Sequence, residues 1–254
     1  MFPQENKMER FTLKLAEIPI QVDATYESTK QYCEAYLTDD APVISACVTQ
    51  ADIDCERVVS EREEQIENLP HYEYSDAYLE QLAVYRKIAE SLLEYNVLLF
   101  HGAAFSADGM GILLAASSGT GKTTHMRLWQ RMMAERGEKL TVINGDKPLL
   151  RVFDEEVRMY GTPWRGKEGY GENTSAKLDS IVLLSRGTKN EIQEITPQQA
   201  LPRVLQQVYR PKSIHTMQKT MQLLDAVTRR VRFYSLQCNM ELNAAETAYK
   251  GMLS

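Results

Sequence analysis

The chain has 254 residues, of which 43% are hydrophobic and 25% charged, enough to bury one substantial core with an appended lobe. Its net charge of −6 and the lack of any Lys/Arg block argue against a nucleic-acid-binding surface. No run approaches the roughly 18 uninterrupted apolar residues of a membrane span, and residues 1–7 lack the basic-then-apolar order of a secretory signal. We therefore expect a cytoplasmic protein that does not cross a membrane.

The cysteines and histidines have no metal-site spacing. The four cysteines include no Cys-x-x-Cys pair and have no neighbouring histidine, and the four histidines are dispersed along the chain. This pattern favours reduced thiols over zinc ligands or disulfides.

The N-terminal part predicts a small α+β accessory lobe over residues 1–72. Alternating apolar residues between turn-prone segments indicate its strands, and an acidic helix ended by Leu69-Pro70 follows them. A long amphipathic helix at about 75–95 then begins the second domain, residues 73–254. The elements of the lobe are predicted at 11–15, 18–22 and 42–49 for strands and 52–68 for the helix.

The second domain predicts an α/β fold with a mixed sheet. Predicted strands outnumber the helices between them, which a purely parallel sheet does not allow. Strands at 149–153 and 157–160 flank a polar turn and predict a hairpin. The remaining strands are predicted at 96–100, 112–115, 139–143, 181–184, 192–195 and 233–236, and the helices at 124–136, 197–209, 213–230 and 243–252.

Residues 116–123, Ala-Ser-Ser-Gly-Thr-Gly-Lys-Thr, are the most informative motif. They lie between an apolar strand and a helix, which is the setting of a phosphate-binding P-loop. Glycine lets successive N–H groups face phosphate oxygens, Lys122 is expected to reach the β- and γ-phosphates, and the Thr123 hydroxyl to bind Mg2+. Ala116 replaces the first glycine of the strict pattern. The expected nucleotide contacts are Ser118, Gly119, Thr120, Gly121, Lys122, Thr123 and Thr124.

The residue pattern of the helix after this loop indicates which face of the helix is buried. Met126, Trp129 and Met133 recur at i, i+3 and i+7, so they are expected to face the core. His125 lies one turn into the helix. It is expected at the surface, with the metal shell as the alternative.

Asp146 follows the predicted strand 139–143 and is the best candidate for a catalytic carboxylate. It would hold the metal or take the proton of an acceptor hydroxyl, and the sequence leaves both roles open beside a plain turn role. Asn144 is either a further polar ligand or a former of the Asn-Gly turn.

A glycine-rich loop at 161–171 carries two further candidates. Arg165 and Lys167 suit a phosphate or a substrate carboxylate if the loop closes over a charged ligand, and the alternative is an ordinary mobile loop. Trp164 either packs against adenine or anchors the loop. Arg186, at a strand end, is a weaker candidate for a phosphate clamp.

Over residues 96–186 the chain resembles the HPr kinase/phosphorylase family, and more distantly the P-loop of phosphoenolpyruvate carboxykinase. The resemblance rests on His101-Gly102, on Ser-Gly-Thr-Gly-Lys-Thr at 118–123 and on Asn144-Gly145-Asp146. It implies a mixed-sheet P-loop kinase core that uses ATP and Mg2+, with His101 near the γ-phosphate or the acceptor. It also implies assembly into a homo-oligomeric ring.

Two departures from the HPr kinases bear on function. Gly145 occupies the place of the first residue of an Asp-Asp pair, so a second carboxylate must come from elsewhere or be dispensable. Residues 160–168 do not align with the segment linked to phosphorylase activity. We therefore expect kinase activity alone.

The leading hypothesis is an ATP-dependent kinase that phosphorylates a serine or threonine hydroxyl of a small protein or peptide. A kinase for a hydroxyl metabolite is the first alternative, and a closed pocket under the 161–171 loop would favour it. A nucleotide-binding sensor without catalysis is the second, and Gly145 favours it. A carboxykinase is not expected, because that reaction needs a second metal with Lys and His ligands and a larger lobe.

Overall fold

The structure is a computed structural model that describes residues 8–67, 70–211 and 213–253. The chain divides into two compact units, Met1–Ser91 and Leu92–Ser254. Residues 1–7, considered above for a signal, and residue 68, the predicted end of the acidic helix, lie outside the described residues. Within the described ranges, no helix has the length and apolar character needed to cross a bilayer.

In the part of the first unit that the structure describes, a three-stranded sheet of order β1-β2-β3 lies with three α-helices. The first two strands are antiparallel, and the second and third are parallel. The three predicted strands and the acidic helix are confirmed, whereas the sequence missed the six-residue first helix. The elements are β1 Glu9–Leu15, β2 Ile18–Ala24, α1 Glu27–Tyr32, β3 Ile44–Cys47, α2 Gln50–Glu67 and α3 Asp76–Leu92.

Helix α3 belongs to this first unit. Glu80 on α3 is fully buried, and its carboxylate accepts hydrogen bonds from the backbone N–H of Tyr26 at 3.0 Å and the hydroxyl of Thr29 at 2.6 Å. Lys87 on the same helix pairs with Asp52 of α2 at 3.0 Å. The sequence placed the division at residue 72, but these contacts extend the first unit to Ser91.

The second unit contains two sheets, so the expected mixed α/β architecture is confirmed. The six-stranded sheet has the order β12-β13-β11-β6-β5-β7, and the four-stranded sheet has the order β10-β9-β8-β4. The strands are β4 Val97–Leu99, β5 Ala103–Ala107, β6 Met110–Ala115, β7 Leu140–Asn144, β8 Leu149–Val152, β9 Val157–Tyr160, β10 Ser175–Lys177, β11 Ser180–Arg186, β12 Glu191–Ile195 and β13 Arg232–Cys238. The helices are α4 Lys122–Arg136, α5 Pro197–Leu205, α6 Ile214–Thr228 and α7 Leu242–Leu253.

The sequence missed two strands of this unit, β5 and β10. β5 reads Ala-Ala-Phe-Ser-Ala, and alanine is depleted in strands, so pairing on both sides overrides its weak local preference. β10 has only three residues. The predicted hairpin is confirmed, because β8 and β9 pair antiparallel.

The six-stranded sheet is buried on both faces. Along β6, Ile112 and Leu114 belong to a core with α4 and α7, whereas Leu113 and Ala115 belong to a core with α5, α6 and the four-stranded sheet. Strand alternation of period two produces this division. Trp129 of α4 is fully buried, 5.3 Å from Phe105 between ring centroids. The predicted core positions Met126, Trp129 and Met133 are each 0% exposed and are confirmed.

Candidate functional site

Strand direction brings three sequence motifs to one edge of the six-stranded sheet. β5 lies between β6 and β7 and is antiparallel to both. The carboxyl ends of β6 and β7 therefore share an edge with the amino end of β5. The P-loop follows β6, Asn144-Gly145-Asp146 ends β7, and His101-Gly102 precedes β5. The strand directions therefore bring together three motifs that lie up to about 45 residues apart in the sequence.

The P-loop has the backbone shape of an anion-binding turn. Gly119 and Gly121 have φ of +71° and +115°. A residue with a side chain would be strained at these φ values. Gly121 is the N-cap of α4, and no side chain of the described residues caps that end. The first N–H groups of α4 are therefore available to an anion, which the positive end of the helix dipole also favours.

Lys122 is folded back along this loop. Its side chain is 8% exposed, and Nζ donates a hydrogen bond of 2.8 Å to the carbonyl of Ala116. The N–H of Thr120 similarly bonds to the carbonyl of Ser117 at 3.2 Å. The loop therefore satisfies several of its own polar groups, and a bound phosphate must replace those hydrogen bonds with stronger charged ones.

Arg186, at the end of β11, contacts the backbone carbonyls of the P-loop. Its guanidinium donates to the carbonyl of Gly119 through Nη2 and to the carbonyl of Thr120 through Nε at 3.4 Å. In a planar trans peptide, the C=O and N–H point in opposite directions. Arg186 therefore orients the loop through its carbonyls, and its role as a phosphate clamp stays a prediction.

Asp146 and His101 form a pair at the same edge. The distance from His101 Nε2 to Asp146 Oδ1 is 3.3 Å, and the N–H of Gly102 bonds to the Asp146 carbonyl at 2.8 Å. Burial of Asp146 opposes its ionisation, but the hydrogen bond from His101 and the charges of Lys147, His101 and Lys122 outweigh this and lower the pKa of the carboxyl. Asp146 is therefore a carboxylate at neutral pH, within the field of the P-loop lysine.

Asn144 shapes the turn that carries Asp146. It is fully buried, and its Oδ1 accepts from the N–H of Asp146 at 2.8 Å and of Lys147 at 2.7 Å. Its Nδ2 donates to Thr162 Oγ1 at 2.9 Å. Of the two roles the sequence left open, the structure supports the turn role, because these bonds occupy both ends of the amide.

Gly145 is where the resemblance implies a second carboxylate, and close packing explains the glycine. Its N–H bonds to the carbonyl of Tyr170 at 2.8 Å. A Cβ at this position would lie 3.1 Å from the Tyr170 Cβ and 3.2 Å from the Tyr170 carbonyl oxygen. A side chain here would require Tyr170 to move by a few tenths of an ångström.

The 161–171 loop is attached to both the Asp146 turn and α4. Gly166 has φ of +72°, and a Cβ there would lie 2.9 Å from the Asp146 Cβ. On the other side, Arg127 of α4 pairs with Glu168 at 2.6 Å and donates to Tyr170 Oη at 3.2 Å. The loop is therefore packed beside the carboxylate.

The candidate ligands on this loop have different environments. Arg165 Nη1 donates to the carbonyl of Gly171 at 2.9 Å, so part of its guanidinium stabilises the loop itself. Lys167 is exposed on the same loop. Trp164 is only 4% exposed, which favours its anchoring role over a platform for adenine.

His125 is buried, so its predicted surface position is wrong. It is 2% exposed, and its Nε2 accepts a hydrogen bond from Trp129 Nε1 at 3.2 Å. Burial lowers the pKa of His125 to about 4. His125 and Trp129 are four residues apart on α4, so their side chains lie on the same face of the helix, toward the core. The ring of His125 is therefore neutral and in contact with the core.

The described residues contain no group of three or more His, Cys, Asp or Glu side chains that could hold a metal ion. Thr123 and Thr124 are half-buried in the first turn of α4. Mg2+ is commonly held by one or two protein ligands together with substrate phosphates rather than by a complete protein cage. Thr123 and Asp146 carry oxygen atoms of the type that Mg2+ binds.

Sequence reasoning missed Arg127, Glu168, Tyr170 and Gln207 as neighbours of this site. The first three fix the glycine-rich loop, and the carbonyl of Gln207 accepts the N–H of His101 at 2.7 Å. Glu168 and Tyr170 lie in the 161–171 loop and Arg127 lies on the P-loop helix, but the sequence does not show that they pair, because these contacts join residues more than 40 positions apart.

No protein-family model matches the chain, and no curated protein matches it. Among solved structures, the chain is similar to one described as the Hpr(Ser) kinase/phosphatase from Coxiella burnetii. The TM-score is 0.34 and the identity 10%, over 61% of this chain and 90% of that chain. A TM-score this low carries no argument about fold or function.

Replacing Arg186 with Gln is expected to weaken binding of a non-hydrolysable ATP analogue about tenfold, because the loop loses two backbone contacts. Calorimetry measures the affinity, and Arg131→Gln on the exposed face of α4 is the matched control. Equal affinities for the two variants would show that Arg186 does not organise the loop.

Stability is expected to fall in acid because of His125. Its folded pKa of about 4 lies below its ordinary value of 6.5, so the unfolded chain takes up the proton first as pH falls. The contribution of neutral His125 to the free energy of unfolding is fully present above pH 6.5. It is lost as the pH falls from about 6.5 to 4, and the loss reaches about 3 kcal/mol. Urea unfolding of wild type and His125→Gln across this range measures it. Identical pH slopes for both proteins would contradict the assignment.

Proposed function

We propose that this chain is an ATP-dependent P-loop phosphotransferase of the HPr kinase type. It transfers the γ-phosphoryl group to a serine or threonine hydroxyl of a small protein or peptide. The observation that carries the proposal is the convergence of Lys122, Asp146 and His101 at one sheet edge.

The loop geometry supports nucleotide binding. The positive φ of Gly119 and Gly121 and the uncapped start of α4 suit a polyphosphate. Lys122 needs to exchange its bond with the Ala116 carbonyl for a phosphate oxygen. Arg186 would keep the loop carbonyls turned outward during this exchange.

Thr123 and Asp146 are the proposed holders of Mg2+. The metal, when bound, would neutralise the negative charge that develops on the phosphates. A carboxylate whose pKa is lowered suits a hard cation. The same low basicity makes Asp146 a weaker proton acceptor, which favours the metal role of the two.

In the transfer step the acceptor oxygen forms a bond to the γ-phosphorus. At the same time the bond between the γ-phosphorus and the oxygen that bridges it to the β-phosphorus breaks, and ADP leaves. The hydroxyl proton passes to Asp146 or to solvent. His101, which contacts the carboxylate at 3.3 Å, would orient it toward the hydroxyl. Positioning and charge neutralisation supply most of the rate in such reactions.

The two alternatives keep specific support. The 161–171 loop, pinned by Arg127 and packed on Asp146, fits a small enclosed acceptor and so a metabolite kinase. Gly145 leaves one carboxylate where the resembling kinases have two, which fits a nucleotide-binding sensor. Turnover and acceptor size distinguish these alternatives from a peptide kinase.

The first test measures transfer from radiolabelled ATP to serine-containing peptides, small proteins and hydroxyl metabolites. Lys122→Ala is expected to reduce transfer at least 100-fold, about 3 kcal/mol of transition-state stabilisation. Lys139→Ala, at an exposed residue just before β7, is the matched control and should retain activity. No transfer to any acceptor by wild type, with tight ATP binding, would replace the kinase proposal with the sensor.

A second test separates the two roles of Asp146. Asp146→Asn keeps the size of the side chain and removes its charge, so a metal ligand and a base respond differently. A metal role predicts that the Mg2+ concentration for half-maximal rate rises about tenfold or more. If the rate instead falls at saturating Mg2+ with no change in Mg2+ dependence, the base role is correct.

A further inference from the structure

We infer that Thr162, at the start of the 161–171 loop, is a positioning residue for the Asp146 carboxylate. Its hydroxyl closes a ring of hydrogen bonds with the Asn144 amide and the Lys147 backbone, and this ring fixes the turn that carries Asp146. The inference rests on the proposed function, because it needs Asp146 to act on the metal or on the acceptor. Thr162 itself acts through Asn144.

The direction of each hydrogen bond in the ring follows from the chemistry of its members. The N–H groups of Asp146 and Lys147 can only donate, so the Asn144 atom at 2.8 and 2.7 Å from them is the amide oxygen. The amide nitrogen therefore faces Thr162 and donates to Oγ1 at 2.9 Å. The hydroxyl then directs its single proton to the Lys147 carbonyl at 2.9 Å, which is closer than the Trp164 carbonyl at 3.4 Å.

The ring is shielded from water. Thr162 is 1% exposed and Asn144 is 0% exposed. Nδ2 of Asn144 also donates to the Thr162 carbonyl at 3.2 Å, so the nitrogen and the oxygen of the amide are both engaged. Because a buried polar atom depends on its protein partner rather than on water, the loss of one member disturbs the others.

The ring holds one side of the Asp146 backbone, and the segment before β5 holds the other. The Asp146 N–H bonds to Asn144, and the Asp146 carbonyl accepts from the N–H of Gly102 at 2.8 Å. With both neighbouring peptide groups fixed, the carboxylate meets His101 Nε2 at 3.3 Å. A displacement of about 1 Å at a reacting group can cost about 100-fold in rate. The Thr162 hydroxyl therefore affects transfer through the placement of Asp146.

Both ends of the 161–171 loop meet the same turn. Thr162 bonds to Asn144 at the start of the loop, and Gly171 forms an antiparallel bridge with Asn144 at its end. Between them, a Cβ on Gly166 would lie 2.9 Å from the Asp146 Cβ. Of these contacts, the Thr162 hydroxyl can be removed with little change in side-chain shape, which makes it the one to test.

The test compares Thr162→Val with Thr162→Ser. Valine keeps the shape of the side chain and removes the hydroxyl, whereas serine keeps the hydroxyl and removes the methyl group. The bond from Asn144 Nδ2 to the carbonyl of residue 162 remains possible in both variants. Thr220→Val is the matched control, because Thr220 is 0% exposed and its hydroxyl donates to the Thr216 carbonyl within α6 at 2.9 Å.

Thr162→Val is expected to lower kcat at least about tenfold and to raise the Mg2+ concentration for half-maximal rate, as the loss of a group that orients a metal ligand does. The KM for ATP should stay unchanged, because the P-loop lies outside the ring. Thr162→Ser and Thr220→Val should retain the wild-type kcat and Mg2+ dependence. Transfer from radiolabelled ATP measures these values.

A second readout does not depend on catalysis. Hydrogen exchange of the Asp146 and Lys147 amides, followed by NMR, reports whether the Asn144 oxygen still accepts from them. Thr162→Val is expected to speed the exchange of both amides about tenfold. Thr162→Ser should leave their exchange unchanged, and Thr220→Val should do the same, which separates a local effect from a general loss of stability.

An unchanged kcat in Thr162→Val would overturn the inference, even with faster amide exchange, because the ring would then be only structural. An equal loss of rate in Thr162→Ser would also overturn it, since the methyl group would then be the cause. If the wild-type protein transfers to no acceptor, the kinase function fails, and the Mg2+ dependence of binding to a non-hydrolysable ATP analogue decides the inference. A weaker Mg2+ dependence in Thr162→Val alone supports it, and equal dependence rejects it.

Discussion

Strand β5 runs antiparallel to both of its neighbours, and the candidate site depends on this direction. If β5 ran the other way, His101-Gly102 would lie at the opposite edge from the P-loop and Asp146. Burial of Ala104 and Phe105 on opposite faces of the sheet fixes the register of β5, because a one-residue slip would exchange its two faces. A short strand of weak local preference thus positions the proposed catalytic groups.

The turn after β7 adds a second constraint, the buried amide of Asn144. By accepting two backbone N–H groups and donating to Thr162, it joins the Asp146 turn to the start of the glycine-rich loop. Gly145 and Gly166 then allow the loop to approach within van der Waals distance. The missing second carboxylate and the packed loop are therefore one structural feature, since an aspartate at 145 would meet Tyr170.

Most elements were predictable from the periodicity of apolar residues. The P-loop was predictable from its glycine spacing and its position between a strand and a helix, which are local properties of the sequence. β5 was missed because tertiary pairing overrides the low strand preference of alanine. His125 was misplaced for a related reason: the helical pattern defined a core stripe, but only packing against Trp129 revealed how wide that stripe is. The domain division moved because Glu80 buries its charge against α1, a contact over more than 50 positions.

The sequence alone determined a strand, a glycine turn and a helix whose end suits a phosphate, because glycine conformation and helix termini act over a few residues. It also determined the mixed α/β class and the core stripe of α4. Only the tertiary structure decided that Arg186 contacts the loop backbone, that Asn144 builds a turn, and that the N–H of His101 bonds to the carbonyl of Gln207. Those facts depend on strand order and long-range packing, which the order of residues does not display.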